Sequence, residues 1–304
     1  MTEELAMTGI SENNVTYPEF YLLPNGNLLF MYRDGASGKG NLIINRYGTK
    51  ANKWQQLHNN LIDGERQRNA YWQACVDKKG TMHLSWVWRD SADVASNHDL
   101  CYAKSTDRGL TWKNSANKKY SLPIRAATAE YVCRIPQKSE LINQTSMFAD
   151  ENGNPFIASY WKDKDDSIPQ YHIAYNMNGK WQIQNTGFRK TAFSLSGMGT
   201  KHIPISRPQI VSYKRGAVLI FRDEERGNKV SAAINKNVKT NHWQIKDLAN
   251  NAVGSWEPTY DTELWKQKKI LHLFVQYTDQ KDEEGKTNTA PQPVQVLEVN
   301  INDL

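Results

Sequence analysis

A chain of 304 residues with 39% hydrophobic residues and a net charge of +6 has the size of one all-β propeller or barrel domain. Its lysines and arginines are scattered rather than gathered into one stripe, which argues against a nucleic-acid surface; the excess fits either an anionic ligand such as an acidic glycan or a simple contribution to solubility. Three further sequence signals are not seen in these residues. No apolar run approaches the ~18 residues that span a bilayer, MTEELAMTG lacks the charged start and apolar stretch of a signal peptide, and Cys75, Cys101 and Cys133 form neither a disulfide framework nor a four-cysteine zinc site.

In chain order, one strand pair recurs five times. Four copies are Leu23–Asp34, Val76–Asp90, Ala149–Asp163 and Tyr213–Asp223, and a weaker fifth closes at Tyr277–Asp279. Each ends on an aromatic residue, usually followed by a cation and then an acid. The turn glycines Gly26, Gly80, Gly153 and Gly216 lie 54, 73 and 63 residues apart, about the length of a four-stranded antiparallel sheet with its turns. Asn-Gly, Lys-Gly and Arg-Gly between alternating hydrophobic runs predict hairpins with glycine at positive φ. Leu28, Phe30 and Tyr32 share one face of the arm after the turn, as do Met82, Leu84 and Trp86. No long window has a helical period. A repeated unit that cannot bury its own face predicts a single β-propeller over residues 1–304, all-β, built from four-stranded antiparallel blades.

Between the copies runs a second beat, a strand and turn closed by Trp54, Trp112, Trp181 or Trp243. Ser105–Trp112 fits S-x-D-x-G-x-T-W, an Asp-box pattern in which the aspartate caps a tight turn and the tryptophan packs between sheets. Its role is structural. Cys101 follows His98 by three residues, a spacing read as a buried thiol in preference to a metal ligand.

Nine residues before each turn glycine stand Tyr17, Tyr71, Gln144 and Arg207, and Glu257 holds a comparable place in the fifth copy. These positions begin the inner strands, whose ends converge on one axial mouth of a propeller. A polar ring there is a candidate site; hydrogen bonding between neighbouring blades is the competing reading for each member.

Three stretches, Val15–Tyr47, His83–Trp112 and Leu141–Pro208, resemble the BNR-repeat propellers that include ulvan lyases and related rhamnose–glucuronate-cleaving enzymes. The resemblance implies a seven-bladed fold and β-elimination on uronic-acid polysaccharides, with a base at C5, an acid at the leaving oxygen and a cation on the carboxylate. It implies Tyr17 as the proton-transfer residue and Arg33, sixteen residues on, as the carboxylate clamp, with Tyr71, His98, Asn143, Gln144 and Arg207 as substrate-binding residues. Tyr71 and Trp72 would stack on sugar faces. The family's histidine pair lies upstream of the strand bearing the tyrosine, and no such segment stands before Tyr17; two blades are therefore expected to be missing. The partner expected is an anionic poly- or oligosaccharide, the protein a monomer, periplasmic or secreted. The resemblance calls for no organic cofactor and admits a structural calcium or zinc ion whose ligands the sequence does not display. A glycoside hydrolase of rhamnose–glucuronate linkages and a non-catalytic glycan-binding propeller remain open beside the lyase. Cys133–Pro136 echoes a sialidase motif but falls after the Asp-box pattern rather than before it.

Overall fold

The computed structural model describes residues 6–36, 39–143, 145–283 and 285–304. Within them the chain forms four four-stranded antiparallel sheets and a two-stranded one, each a simple meander. The first sheet comprises β1 (Val15–Leu22), β2 (Leu28–Ala36), β3 (Lys39–Gly48) and β4 (Lys53–His58). The second has β5 (Asn69–Val76), β6 (Met82–Arg89), β7 (Asn97–Ser105) and β8 (Glu130–Cys133). The third holds β9 (Ser146–Ala149), β10 (Pro155–Trp161), β11 (Gln170–Met177) and β12 (Lys180–Asn185). The fourth runs β13 (Gln209–Tyr213), β14 (Gly216–Phe221), β15 (Lys229–Asn235) and β16 (Gln244–Ala252). A short helix α1 (Thr262–Lys268) then precedes β17 (Ile270–Val275) and β18 (Gln295–Asn300). The propeller-type all-β fold expected from the repeat is present. The fifth unit is shorter than expected and carries a helix that no periodicity announced, because Asp261 caps it locally, accepting from the Leu264 N–H at 2.8 Å.

The sheets stack through both faces. Leu29, Met31, Leu42 and Ile44 of the first meet Trp72, Leu84, Trp86 and Trp88 of the second. The opposite face of the second, with Tyr71, Val87, Leu100 and Tyr102, meets Met147, Ile157 and Ala174 of the third. The largest cluster joins the third, fourth and fifth sheets around Tyr171, Phe221, Trp256 and Trp265. Burial on both faces explains why β6, β10 and β14 are buried along their whole length, where a one-faced sheet would alternate.

Three inner hairpins repeat one turn. The N–H of Gly26, Gly80 and Gly153 donates to the carbonyl of Leu23, Asp77 and Asp150, at 2.9, 3.0 and 3.0 Å, and each glycine has φ of 80 to 86°, a region costly for a side chain. The fourth hairpin departs from the expectation. There Lys214 takes the left-handed conformation (φ 55°), and Gly216 is required by space, since a Cβ would sit 2.2 Å from the Asn235 carbonyl oxygen. The Ser105–Trp112 turn is closed by Asp107, whose carboxylate accepts from the Thr111 N–H (2.8 Å), the Thr111 hydroxyl (2.6 Å) and the Ser105 hydroxyl (2.8 Å), and Trp112 is fully buried between the first two sheets. Asp107→Ala should cost about 2 kcal/mol, the scale for bonds to a charged acceptor, seen as a lower urea midpoint at unchanged slope.

Candidate functional site

The starts of the inner strands do converge. Tyr17, Tyr71, Arg207 and Glu257 line one cleft of about 850 Å³, together with Asn143, Arg89, Arg222, Lys201, Trp256 and Asp279. Four of the lining side chains are cationic and two acidic, so the wall suits an anion. None of them is a histidine.

Tyr17 is placed by a local irregularity. The β1–β2 register shifts between Thr16 and Glu19, and Tyr17 sits in this bulge at φ 53°, a conformation worth about 1–3 kcal/mol of strain for a non-glycine residue. The bulge re-aims the side chain into the cleft. Its ring meets the edges of Tyr71 and Trp72, at centroid distances of 5.7 and 6.4 Å. The Arg33 guanidinium lies over it at 4.7 Å and over the Tyr71 ring at 5.4 Å, while Arg89 lies 5.3 Å from Tyr71 on its own account. Two cations and two tyrosine rings thus form one packed cluster.

Arg33, expected as the carboxylate clamp, is buried beside Tyr17 and is not among the cleft-lining residues. It is only 6% exposed, its Nε donates to the Thr16 hydroxyl at 2.9 Å, and its buried Nη1 has no hydrogen-bond partner in the described structure. Gly40 makes room for it, since a Cβ there would lie 2.5 Å from the Arg33 stem. Arg33 is therefore packed against the cleft-lining rings of Tyr17 and Tyr71. Burial pushes the Tyr17 hydroxyl pKa up and Tyr71 adds to this, while the charges of Arg33, Arg207 and Arg89 oppose it, leaving the value above that of a free tyrosine. Tyr17 is therefore a neutral phenol at physiological pH.

Arg207, just before β13, does face the cleft. Its N–H donates to Glu257 Oε2 at 3.0 Å and its Nη1 stands 3.8 Å from the same oxygen. Burial raises the Glu257 pKa, with Arg207 and Arg222 pulling the other way. Arg222 is buried beneath, donating to the Ile203 and Trp256 carbonyls at 3.0 and 3.4 Å. Asn143 reaches the cleft from the segment before β9. Gln144 lies outside the described residues. His98 is not brought to the cleft; it lies in a shallow surface groove with Arg134 and Gln137, bonded to Asp99 and Asp90 at 3.1 Å each. Cys101 is fully buried, and among the described residues no group of three His, Cys, Asp or Glu side chains is arranged to hold a metal ion. The members that sequence reasoning missed, Arg89, Lys201, Arg222, Trp256 and Asp279, come from strand ends and loops outside the nine-residue offset.

The profile of the BNR repeat-containing family matches residues 1–189. The chain belongs to this family. Among solved structures it is similar to the polysaccharide lyase Uly1, at 15% identity and a TM-score of 0.63 over 97% of this chain and 61% of that one. A PL25 ulvan lyase bound to -[GlcA(1-4)Rha3S]- follows at 12% identity and 0.59, over 95% and 67%, and a Penicillium chrysogenum alpha-L-arabinanase complexed with arabinobiose at 13% and 0.53, over 90% and 80%. This BNR-repeat chain thus spans about 61% of the length of the first of these, and at such identities the likeness is one of fold. No curated protein sequence matches it.

For His98, burial disfavours the charge, but the bonds to Asp99 and Asp90 outweigh it and raise the pKa. A raised histidine pKa contributes stability that is fully present below its unfolded value and lost as pH rises through the folded one. His98→Gln should therefore destabilise the protein more at pH ~5.5 than at pH ~8.5, measured by urea unfolding at both; an equal cost at the two would refute the charged pairing.

Proposed function

We propose that this protein is a polysaccharide lyase that cleaves a uronic-acid glycan of the ulvan or rhamnoglucuronan type by β-elimination. The observation that carries the reading is the convergence of a protonated, strained Tyr17 with cleft-facing Arg207 and Arg89 in one open cationic groove. Elimination next to a carboxylate develops charge on that group, and a fixed guanidinium offsets it. Arg207 is the clamp in this reading, because its side chain is 36% exposed on the cleft wall, and Arg33 is the positioning residue that holds the Tyr17 ring and biases its hydroxyl. Tyr17 donates its proton to the leaving oxygen, a role its neutral phenol suits. Tyr71 and Asn143 contact the sugar, and Trp256 adds an apolar wall.

Incubation with ulvan should produce the ultraviolet absorbance of an unsaturated uronate. Tyr17→Phe should lower the rate at least 100-fold, the low end for loss of a general acid, with the fold intact by circular dichroism. A hydrolase is the second reading, favoured by the two carboxyl side chains, Glu257 and Asp279, in the same cleft; new reducing ends without absorbance would establish it in place of the lyase. Glycan binding with neither signal would mark a binding propeller.

A further inference from the structure

A lyase site needs a base as well as an acid, and the cleft wall carries no imidazole to serve. Tyr17, kept protonated by burial and packed against Arg33, suits the acid role. We infer that Glu257 is the base that removes the uronate C5 proton, an assignment that rests on the lyase reading above.

Three observations converge on this carboxylate. First, Glu257 occupies the fifth unit's counterpart of the position held by Tyr17 in the first and Arg207 in the fourth, so the ring that delivers the acid and the clamp also delivers it to the same cleft. Second, its side chain is 41% open to the cleft yet anchored, because Oε2 accepts the Arg207 backbone N–H at 3.0 Å. The Arg207 guanidinium stands 3.8 Å from the same oxygen, a loose ion pair that leaves the exposed part of each side chain facing the cleft. Third, Arg207 lines the same cleft as Tyr17 and Glu257, so a carboxylate clamped by Arg207 would lie in the groove that holds the acid and the base. The burial that makes Glu257 a stronger base than a free carboxylate supports the role.

The step balances without a co-reactant. Glu257 takes the C5 proton, and the C5–H electron pair becomes the C4=C5 double bond. The C4–O bond breaks with its pair going to oxygen, which takes the Tyr17 proton. The resulting carboxylic acid and phenolate are reset by proton transfer through solvent. Arg207 holds the sugar carboxylate throughout, and the buried Arg222 adds a second cation to the cleft lining.

The experiment compares wild type, Glu257→Gln, Glu257→Asp and Tyr17→Phe on ulvan and on a synthetic glucuronate carrying para-nitrophenyl as an ether at C4. That leaving group needs no proton, so the base remains essential while the acid does not. Glu257→Gln keeps an oxygen for the Arg207 N–H and should retain the wild-type melting temperature. We expect it to lose at least about 100-fold in kcat on both substrates with KM within threefold, Glu257→Asp to recover part of the loss, and Tyr17→Phe to regain most of its activity on the nitrophenyl ether alone. Wild type active with Glu257→Gln within threefold of it would overturn Glu257 and leave the lyase reading standing. Rescue of Glu257→Gln, but not of Tyr17→Phe, by the nitrophenyl ether would overturn the assignment by reversing the roles. Wild type that forms no unsaturated product from either substrate would overturn the lyase reading and Glu257 with it.

Discussion

Each sheet of this protein has two apolar faces and too few strands to bury either alone. The first sheet cannot shelter Met31 and Ile44 without Trp72 and Trp86 of the second, nor the second Tyr102 without the third. Stacking in sequence order buries the faces that meet, while Phe30, Tyr32 and Ile43 on the outer side of the first sheet pack with Met7 and Trp54. It also brings β1, β5, β9 and β13 side by side, each hydrogen-bonded within its own sheet on one edge only. The residues that start those strands then have no choice of location. A cleft at the axial mouth follows from burial, and its chemistry depends only on which side chains stand at a few positions.

At the first of these positions the sequence spends stability on geometry. Tyr17 is strained, and Arg33 is a buried cation with an unpartnered nitrogen, which is costly unless rings and neighbouring dipoles compensate. The two costs share one arrangement: the guanidinium that the Tyr17 and Tyr71 rings shelter is also what holds Tyr17 in its bulge. A strained tyrosine over a buried arginine is typical of a site kept for function rather than stability. The cationic groove around it gives the cluster something to act on.

Much of this was legible in the sequence, for local reasons. Turn glycines and their offsets located the hairpins, counting back nine residues found Tyr17, Tyr71 and Arg207, and the repeat gave Glu257 a comparable place, because strand length and turn type are set by neighbours in the chain. What stayed hidden depends on distant partners. The burial of Arg33 is decided by Gly40 across the sheet and Tyr71 on the next one. Lys201 and Asp279 reach the cleft on loops joined by the Glu283 N–H to the Thr200 carbonyl, a contact with no spacing rule. His98, in a family-like stretch, was drawn outward by Asp90 and Asp99. The Gly216 turn shows the same limit, since one glycine serves positive φ in three copies and close approach in the fourth.

The central claim is that the axial cleft recognises a sugar carboxylate. Calorimetric titration of Tyr17→Phe, chosen because its turnover should be at least about 100-fold slower, with a ulvan-derived uronate tetrasaccharide and with the same tetrasaccharide reduced at its carboxyl groups tests it most directly. A charge-assisted contact to Arg207 predicts binding of the uronate at least about tenfold tighter than of the reduced sugar, with the difference lost in Arg207→Gln. Equal affinity for the two sugars would contradict the account.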